Sequence, residues 1–205
     1  MQFLYPQKHL PVSKVLFAEI NGARMKKSIT ITGSLGSGKS TVAKRLAEQL
    51  GLTYYSTGSA QRQIAQQMGI TTLQLNQLAE KDKSIDDKID AVIKAMNSDG
   101  NAYIVDSRLA WHFMPDSFKV KLEVNPTEAA NRIFNDTSRS SESKYQNPEE
   151  VFNATALRRK SERERFLKYY QVDIEDNNNF DLIIDTSHLS VEDVCEIIQK
   201  NFQNT

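Results

Sequence analysis

From Ser28 onward the apolar positions switch between two rhythms. "SITIT" (Ser28 to Thr32) is short and β-rich, and a glycine loop separates it from "STVAKRLAEQLG". In that second stretch Val42, Ala43, Leu46, Ala47 and Leu50 recur at the spacing of one helix face, and Gly51 is placed to stop the helix. "LTYYS" reads as a strand. "SAQRQIAQQMG", "LQLNQLAEKD" and "SIDDKIDAVIKAMNSDG" read as three helices parted by Gly69 and polar turns. "AYIVDS" (Ala102 to Ser107) and "FKVKLEV" (Phe118 to Val124) return to strand, and "PTEAANRIFND" opens a helix on a first-turn proline. The polar segment "TSRSSESKYQNP" (Thr137 to Pro148) precedes a long charged helix over about 149–170. "FDLIIDTS" is the last strand and "SVEDVCEIIQKNF" the last amphipathic helix. Strands alternating with helices predict an α/β fold, a mostly parallel sheet covered on both faces. All eight glycines lie at or before Gly100, so the later turns have to be made without glycine.

Residues 1–24 stand apart from this pattern. They hold two of the five prolines and precede Met25, which could itself begin the domain. The expected division is an N-terminal extension over 1–24 and one domain over 25–205. The extension reads as an upstream start or a loosely docked arm, with a short added strand or partner-binding arm as the other reading.

Composition narrows the classes. At 205 residues the chain suits one domain with an ample core. Lys+Arg and Asp+Glu balance at 26 each, so no global charge points to nucleic acid or membrane, and an anion site has to be a local concentration of cations. Cys195 is the one cysteine, which excludes an internal disulfide and argues against a Cys-ligated metal. No apolar run approaches the roughly 20 residues of a membrane span. The N-terminus has no sustained apolar core of a signal peptide, so a cytoplasmic protein is expected.

The chemistry begins at "GSLGSGKST". Gly33, Ser34, Leu35, Gly36, Ser37, Gly38, Lys39, Ser40 and Thr41 follow a strand and open a helix, the context a Walker A loop requires. Its glycines let backbone N–H groups face phosphate oxygens, and the helix N-terminus adds partial positive charge. Lys39 would reach the outer phosphates of ATP, and Ser40 would ligate Mg²⁺. Asp106 ends a predicted strand at the crevice side of the sheet. It could hold Mg²⁺ directly or through water, serve as a base toward a hydroxyl, or merely cap a turn. Arg62 and Arg108 lie near the same crevice, as surface ion pairs or as anion contacts. In "ALRRKSERERF", Arg158, Glu162 and Arg165 share one helix face, and Arg159 with Arg163 forms a second pair beside it. The same letters also build a solvated helix laced with ion pairs.

A cation-rich crevice suits a phosphate acceptor. An alcohol needs a carboxylate to take its proton, whereas a phosphate monoester, with a second pKa near 6, is already anionic at pH 7. Its difficulty is repulsion, about 4 kcal/mol per pair of like charges 4 Å apart at an effective dielectric near 20. Arginine forks between the two phosphates offset that.

"ITITGSLGSGKSTVAKRLAEQLGLTYYSTGSAQRQIA", "VDSRLAW" and "RRKSERERFLKYYQVDIED" together resemble the cytidylate kinase family, in its short archaeal-type branch, over about residues 27–200. The resemblance implies a P-loop NTPase fold with a helical monophosphate-binding region, about 56–98, and a short lid, about 137–148. It implies that Arg62 contacts the acceptor phosphate, that Thr57 lies near the acceptor, and that Arg108 belongs to a D-G-R motif at the acceptor site. Arg132 corresponds to the arginine before the lid, Arg158 and Arg165 to arginines around the phosphates, and Glu162 to an acid contacting the acceptor sugar. Three departures stand out: Ser107 replaces the glycine of D-G-R, Ser59 an acidic residue, and Asn135 and Asp136 further basic residues, for which Arg139 or Lys144 could compensate. The implied activity is phosphoryl transfer from ATP to CMP or dCMP by a monomer. A small-molecule kinase with an alcohol acceptor, and a catalytically weak nucleotide-binding regulator, remain the alternatives.

Overall fold

A computed structural model of the chain describes residues 28–136 and 145–205. The expected extension over 1–24 and most of the expected lid, with Arg139 and Lys144, lie outside the described residues. Five strands form one sheet: β1 (Ile29–Gly33), β2 (Thr53–Ser56), β3 (Tyr103–Asp106), β4 (Phe118–Glu123) and β5 (Leu182–Asp185). Their order is β2-β3-β1-β4-β5, and every pairing is parallel. β1 is buried along its whole length, as a central strand covered on both faces must be.

Two helices, α1 (Lys39–Leu50) and α8 (Val191–Gln203), cover one face. Val42, Ala43, Leu46, Val194, Cys195 and Ile198 pack there on Ile29, Ile31, Ile104, Val120 and Leu122. Gly51 closes α1 in the left-handed region, as expected, its N–H bonded to Ala47 O. β3 turns alternate side chains the other way: Tyr103 and Val105 pack on Ile93 and Met96 of α4 (Ser84–Ser98) and on Ala110 of α5 (Ala110–Phe113). The alternation in the sequence had not indicated α5, whose four residues are too few to show a helical period.

Helices α2 (Thr57–Gln67) and α3 (Thr72–Ala79) join α4 in the interval between β2 and β3. α6 (Pro126–Asn135) packs on α7 (Pro148–Tyr170), where Ala130 and Ile133 bury Val151. Asn147 caps α7 by accepting from Glu150 N–H, with Pro148 at the first turn. At the far end the shortage of glycine shows: Gln171 takes the left-handed conformation at φ 58°, which costs a non-glycine residue about 1 kcal/mol. The strands all end on one side, where Gly33, Ser56 and Asp106 converge and the sheet order changes direction between β3 and β1, the place where open parallel sheets hold ligands.

Candidate active site

The loop from Ser34 to Gly38 wraps the start of α1. Its glycines are sterically required at two positions. A Cβ on Gly33 would sit 2.2 Å from Leu122 O, and one on Gly36 would sit 2.8 Å from the Ala129 backbone. The loop is tied from both sides: Ser37 Oγ donates to Ser34 O at 2.9 Å, and Thr186 Oγ1 donates to Ser37 O at 3.1 Å. Lys39 Nζ folds over it to donate to Ser34 O at 3.1 Å. Burial, with Arg108 adding to it, lowers the Lys39 pKa to about 7, and Asp106 and Glu162 offset this only in part. Its charge is costly until an anion arrives beside it.

Asp106 gathers hydroxyl groups. Ser40 Oγ donates to its Oδ2 at 2.5 Å, and Tyr54 Oη and Ser56 Oγ reach the same oxygen at 3.4 Å each. Neither Tyr54 nor Ser56 stood out as a site residue in the sequence. Their signal was the two-residue period of β2, which sets both side chains on the face of their neighbour Asp106. Ser40 and Asp106 together offer hard oxygen ligands at the helix N-terminus. Among the described residues no group of three or more His, Cys, Asp or Glu could hold a metal. That donor set fits Mg²⁺, which is held by one or two protein oxygens plus phosphate and water.

A cleft of about 510 Å³ opens beside the loop, lined by Lys39, Thr57, Arg62, Arg108, Arg158 and Glu162 among others. Thr57 Oγ1 donates to Asp106 O at 3.4 Å. Arg62 Nη2 donates to Ser59 Oγ at 2.9 Å, so the serine that replaces an acid still orients this arginine without neutralising it. Glu162 is the hub. Arg108 Nε lies 2.9 Å from its Oε2, and Arg158 Nε donates to its Oε1 at 2.9 Å. Burial alone would raise its pKa; Arg108 and Arg158 outweigh that and hold it near 2. Arg108 also donates to Gly33 O, joining the hub to the phosphate loop. Ser107 lines the cleft, and its hydroxyl accepts from Leu109 N–H at 3.3 Å. Asp136 lines the same cleft.

Arg132 and Arg165 differ in their placement. Arg132 does not line this cleft; it binds Glu128 Oε1 at 3.0 Å and the carbonyls of Thr186 and Ser187 at 2.9 Å each. Its guanidinium thus sits at the loop after β5. Arg165 does line the cleft, but on the wall made by the helices. Its Nε lies 3.2 Å from Asp86 Oδ2 and its Nη1 donates to Asn76 O at 3.3 Å. From there its charge still helps to lower the Glu162 pKa. The neighbouring pair is structural: Arg159 binds Glu175 and Arg163 binds Asp173, all at the helix surface.

A sheet of this order, a glycine loop at a helix start and a ring of cations beside it define a P-loop kinase. Shikimate kinase from Acinetobacter baumannii shares the fold, with a TM-score of 0.55 at 19% identity over 94% of this chain and 98% of that one. The chain belongs to the cytidylate kinase-like family, whose model matches residues 28–188. It is 40% identical over 176 residues to the cytidylate kinase of Sulfolobus acidocaldarius, covering 83% of this chain and 91% of that relative. It is also 32% identical over 184 residues to an S-adenosylmethionine-dependent nucleotide dehydratase of Lacinutrix mariniflava, covering 88% of this chain but 37% of that protein's length. No helix among the described residues is long and apolar enough to cross a membrane.

Proposed function

We propose that this protein transfers the γ-phosphoryl group of ATP to CMP or dCMP, acting as a cytoplasmic monomer. The observation that carries the reading is the one cleft in which Lys39, Arg62, Arg108 and Arg158 face the space beside the phosphate loop. Two phosphates brought together there repel, and planar guanidinium groups between them offset the repulsion while setting the line of transfer. The loop and Lys39 hold the donor. Arg62, oriented by Ser59, meets the acceptor phosphate, and Thr57 stands beside it. Glu162 fixes Arg108 and Arg158 in place and, through whichever lone pairs they leave, is available to a sugar hydroxyl.

Mg²⁺, held through Ser40 and Asp106, would neutralise charge on the donor phosphates. Asp106 is engaged by three hydroxyls, which argues against its use as a free base and so against an alcohol acceptor. Arg132, at the loop after β5, would act on the donor nucleotide rather than on the reacting oxygens.

Chromatography of a mixture with CMP and Mg-ATP tests this directly. Wild-type protein should form CDP and ADP in equal amounts, and Lys39→Ala should lower the rate by about 100-fold or more, as loss of one charge-stabilising donor does, with its melting curve preserved. Near-normal turnover by Lys39→Ala would count against the assignment.

A further inference from the structure

Arg132 lies away from the cleft, yet it is tied to the phosphate loop through one residue. Its Nη2 donates to the carbonyls of Thr186 and Ser187 at 2.9 Å each, and its Nε donates to Glu128 at 3.0 Å. Thr186 directly follows β5 and is 3% exposed. Its hydroxyl lies between Ser37 O, at 3.1 Å, and Glu123 O, at 3.0 Å. Glu123 O already accepts the Thr186 N–H at 2.8 Å, which leaves the hydroxyl proton for Ser37 O. The next residue is fixed as well. Ser187 N–H and Oγ both donate to Asp185 Oδ1, at 2.9 and 2.5 Å, and Ser187 Oγ accepts from Asn125 N–H at 2.8 Å. From another side α6 meets the loop directly, its Ala129 backbone filling the space that a Cβ on Gly36 would need. The end of β5 and α6 thus form one hydrogen-bonded block against the back of the phosphate loop.

Valine would fill the place of Thr186 equally well, so what the hydroxyl adds is direction. A trans peptide is planar, with its C=O and N–H on opposite sides. Holding Ser37 O outward on Thr186 therefore sends the Gly38 N–H the other way. Gly38 lines the cleft, whereas Ser37 is buried at 1% exposed. Gly36 and Gly38 both take the left-handed conformation, at φ 79° and 81°, which turns neighbouring N–H groups toward a common anion. Resting on the reading of this loop as the holder of the donor phosphates, we propose that Thr186 is a positioning residue. Its hydroxyl, braced from behind by Arg132, aims the Gly38 N–H at those phosphates. Arg132 serves the reaction at one remove, because it fixes the carbonyls of Thr186 and Ser187 and so the direction from which Thr186 reaches Ser37. Without this tie the Ser37–Gly38 peptide is free to turn over, and a carbonyl oxygen then faces the anion in place of an N–H.

The probe is inorganic tripolyphosphate, which engages a phosphate loop and carries neither base nor sugar. Its equilibrium binding is measured by calorimetry with Mg²⁺ present, beside that of CMP. Thr186→Val keeps the shape and removes the hydroxyl. It should weaken tripolyphosphate binding about tenfold, as loss of one hydrogen bond does, and leave CMP binding within about twofold of wild type. Thr186→Ser retains the hydroxyl and should stay within about threefold of wild type for tripolyphosphate, and Arg132→Gln should lose about threefold. Unchanged tripolyphosphate binding in Thr186→Val, or an equal loss for CMP, would mark Thr186 as packing alone and overturn the proposal. A Thr186→Ser variant as weak as Thr186→Val would overturn it too. Should Thr186→Val fail to fold, Thr186→Ala carries the same prediction. Wild-type protein that binds neither tripolyphosphate nor ATP would sink the donor reading of the loop and this proposal with it. Selective loss of tripolyphosphate binding in Thr186→Val, without phosphoryl transfer to CMP by the wild type, would sink the kinase reading alone.

Discussion

Glu162 and Asp86 are buried almost equally, at 4% and 5% exposed, and each faces guanidinium groups of the same cleft. Their surroundings differ. Glu162 receives Arg108 and Arg158 on separate oxygens, both at 2.9 Å, and is held near pKa 2 despite its burial. Among the described residues Asp86 is paired only with Arg165, off hydrogen-bond geometry; burial, with Asp90 and Asp87 adding to it, outweighs Arg165 and raises its pKa to about 6. One cluster is finished within the protein and serves as a rigid frame for phosphate-facing arginines. The other is less complete: Asp86 Oδ2 and Arg165 Nε have no hydrogen-bond partner among the described residues. Equal burial therefore gives opposite pKa shifts, and the number of well-placed partners decides the sign.

Breaking the finished cluster should have the larger effect. Glu162→Gln leaves two guanidinium groups without their counter-ion and should lower unfolding stability by about 3 kcal/mol, the cost of breaking a buried pair. Asp86→Asn should cost less than about 1 kcal/mol at pH 7 or stabilise, because the charge it removes is disfavoured in the folded state. Urea denaturation of both variants checks the contrast, and equal losses would contradict it.

The same difference sets opposite pH dependences. Glu162 is lowered from 4.5 to about 2, so its contribution is present above pH 4.5 and is lost as pH falls through about 2. Asp86 is raised from 3.8 to about 6, so the folded state holds the extra proton between those values. Wild-type stability should therefore fall, relative to Asp86→Asn, as pH rises from about 4 to about 6. Melting curves across that window measure it, and parallel curves for the two proteins would remove the basis for the contrast. The smallest effect is expected at Arg163, whose pair with Asp173 is half exposed. Arg163→Ala should change stability by less than about 1 kcal/mol and leave kcat/KM for CMP unaltered, since exposed pairs contribute little.

How much of this was legible in the sequence depended on how local each feature is. The phosphate loop and its flanking strand and helix are contiguous, so "GSLGSGKST" disclosed them whole. The strands and long helices followed from period, whereas α5 was too short to register. Arg158 and Glu162 were correctly put on one face, because helical spacing alone decides that. The same reasoning put Arg165 with them, and it does line the same cleft, although its partners Asp86 and Asn76 lie on α4 and α3 and could not be read from spacing. The direction of Arg132 was not legible, because it is set by carbonyls of Thr186 and Ser187, 54 and 55 residues away in sequence. Asp86 was missed although the signal was present. It lies in phase with Ile85, Ile89 and Ile93, a carboxylate on the buried stripe of α4.

The most direct test is Mg-ATP turnover, followed by ADP release, against CMP, dCMP, UMP, AMP, GMP and dTMP. CMP or dCMP should turn over fastest, with UMP and dTMP well behind. Release of ADP at the background ATPase rate with every monophosphate, while ATP still binds, would contradict the account.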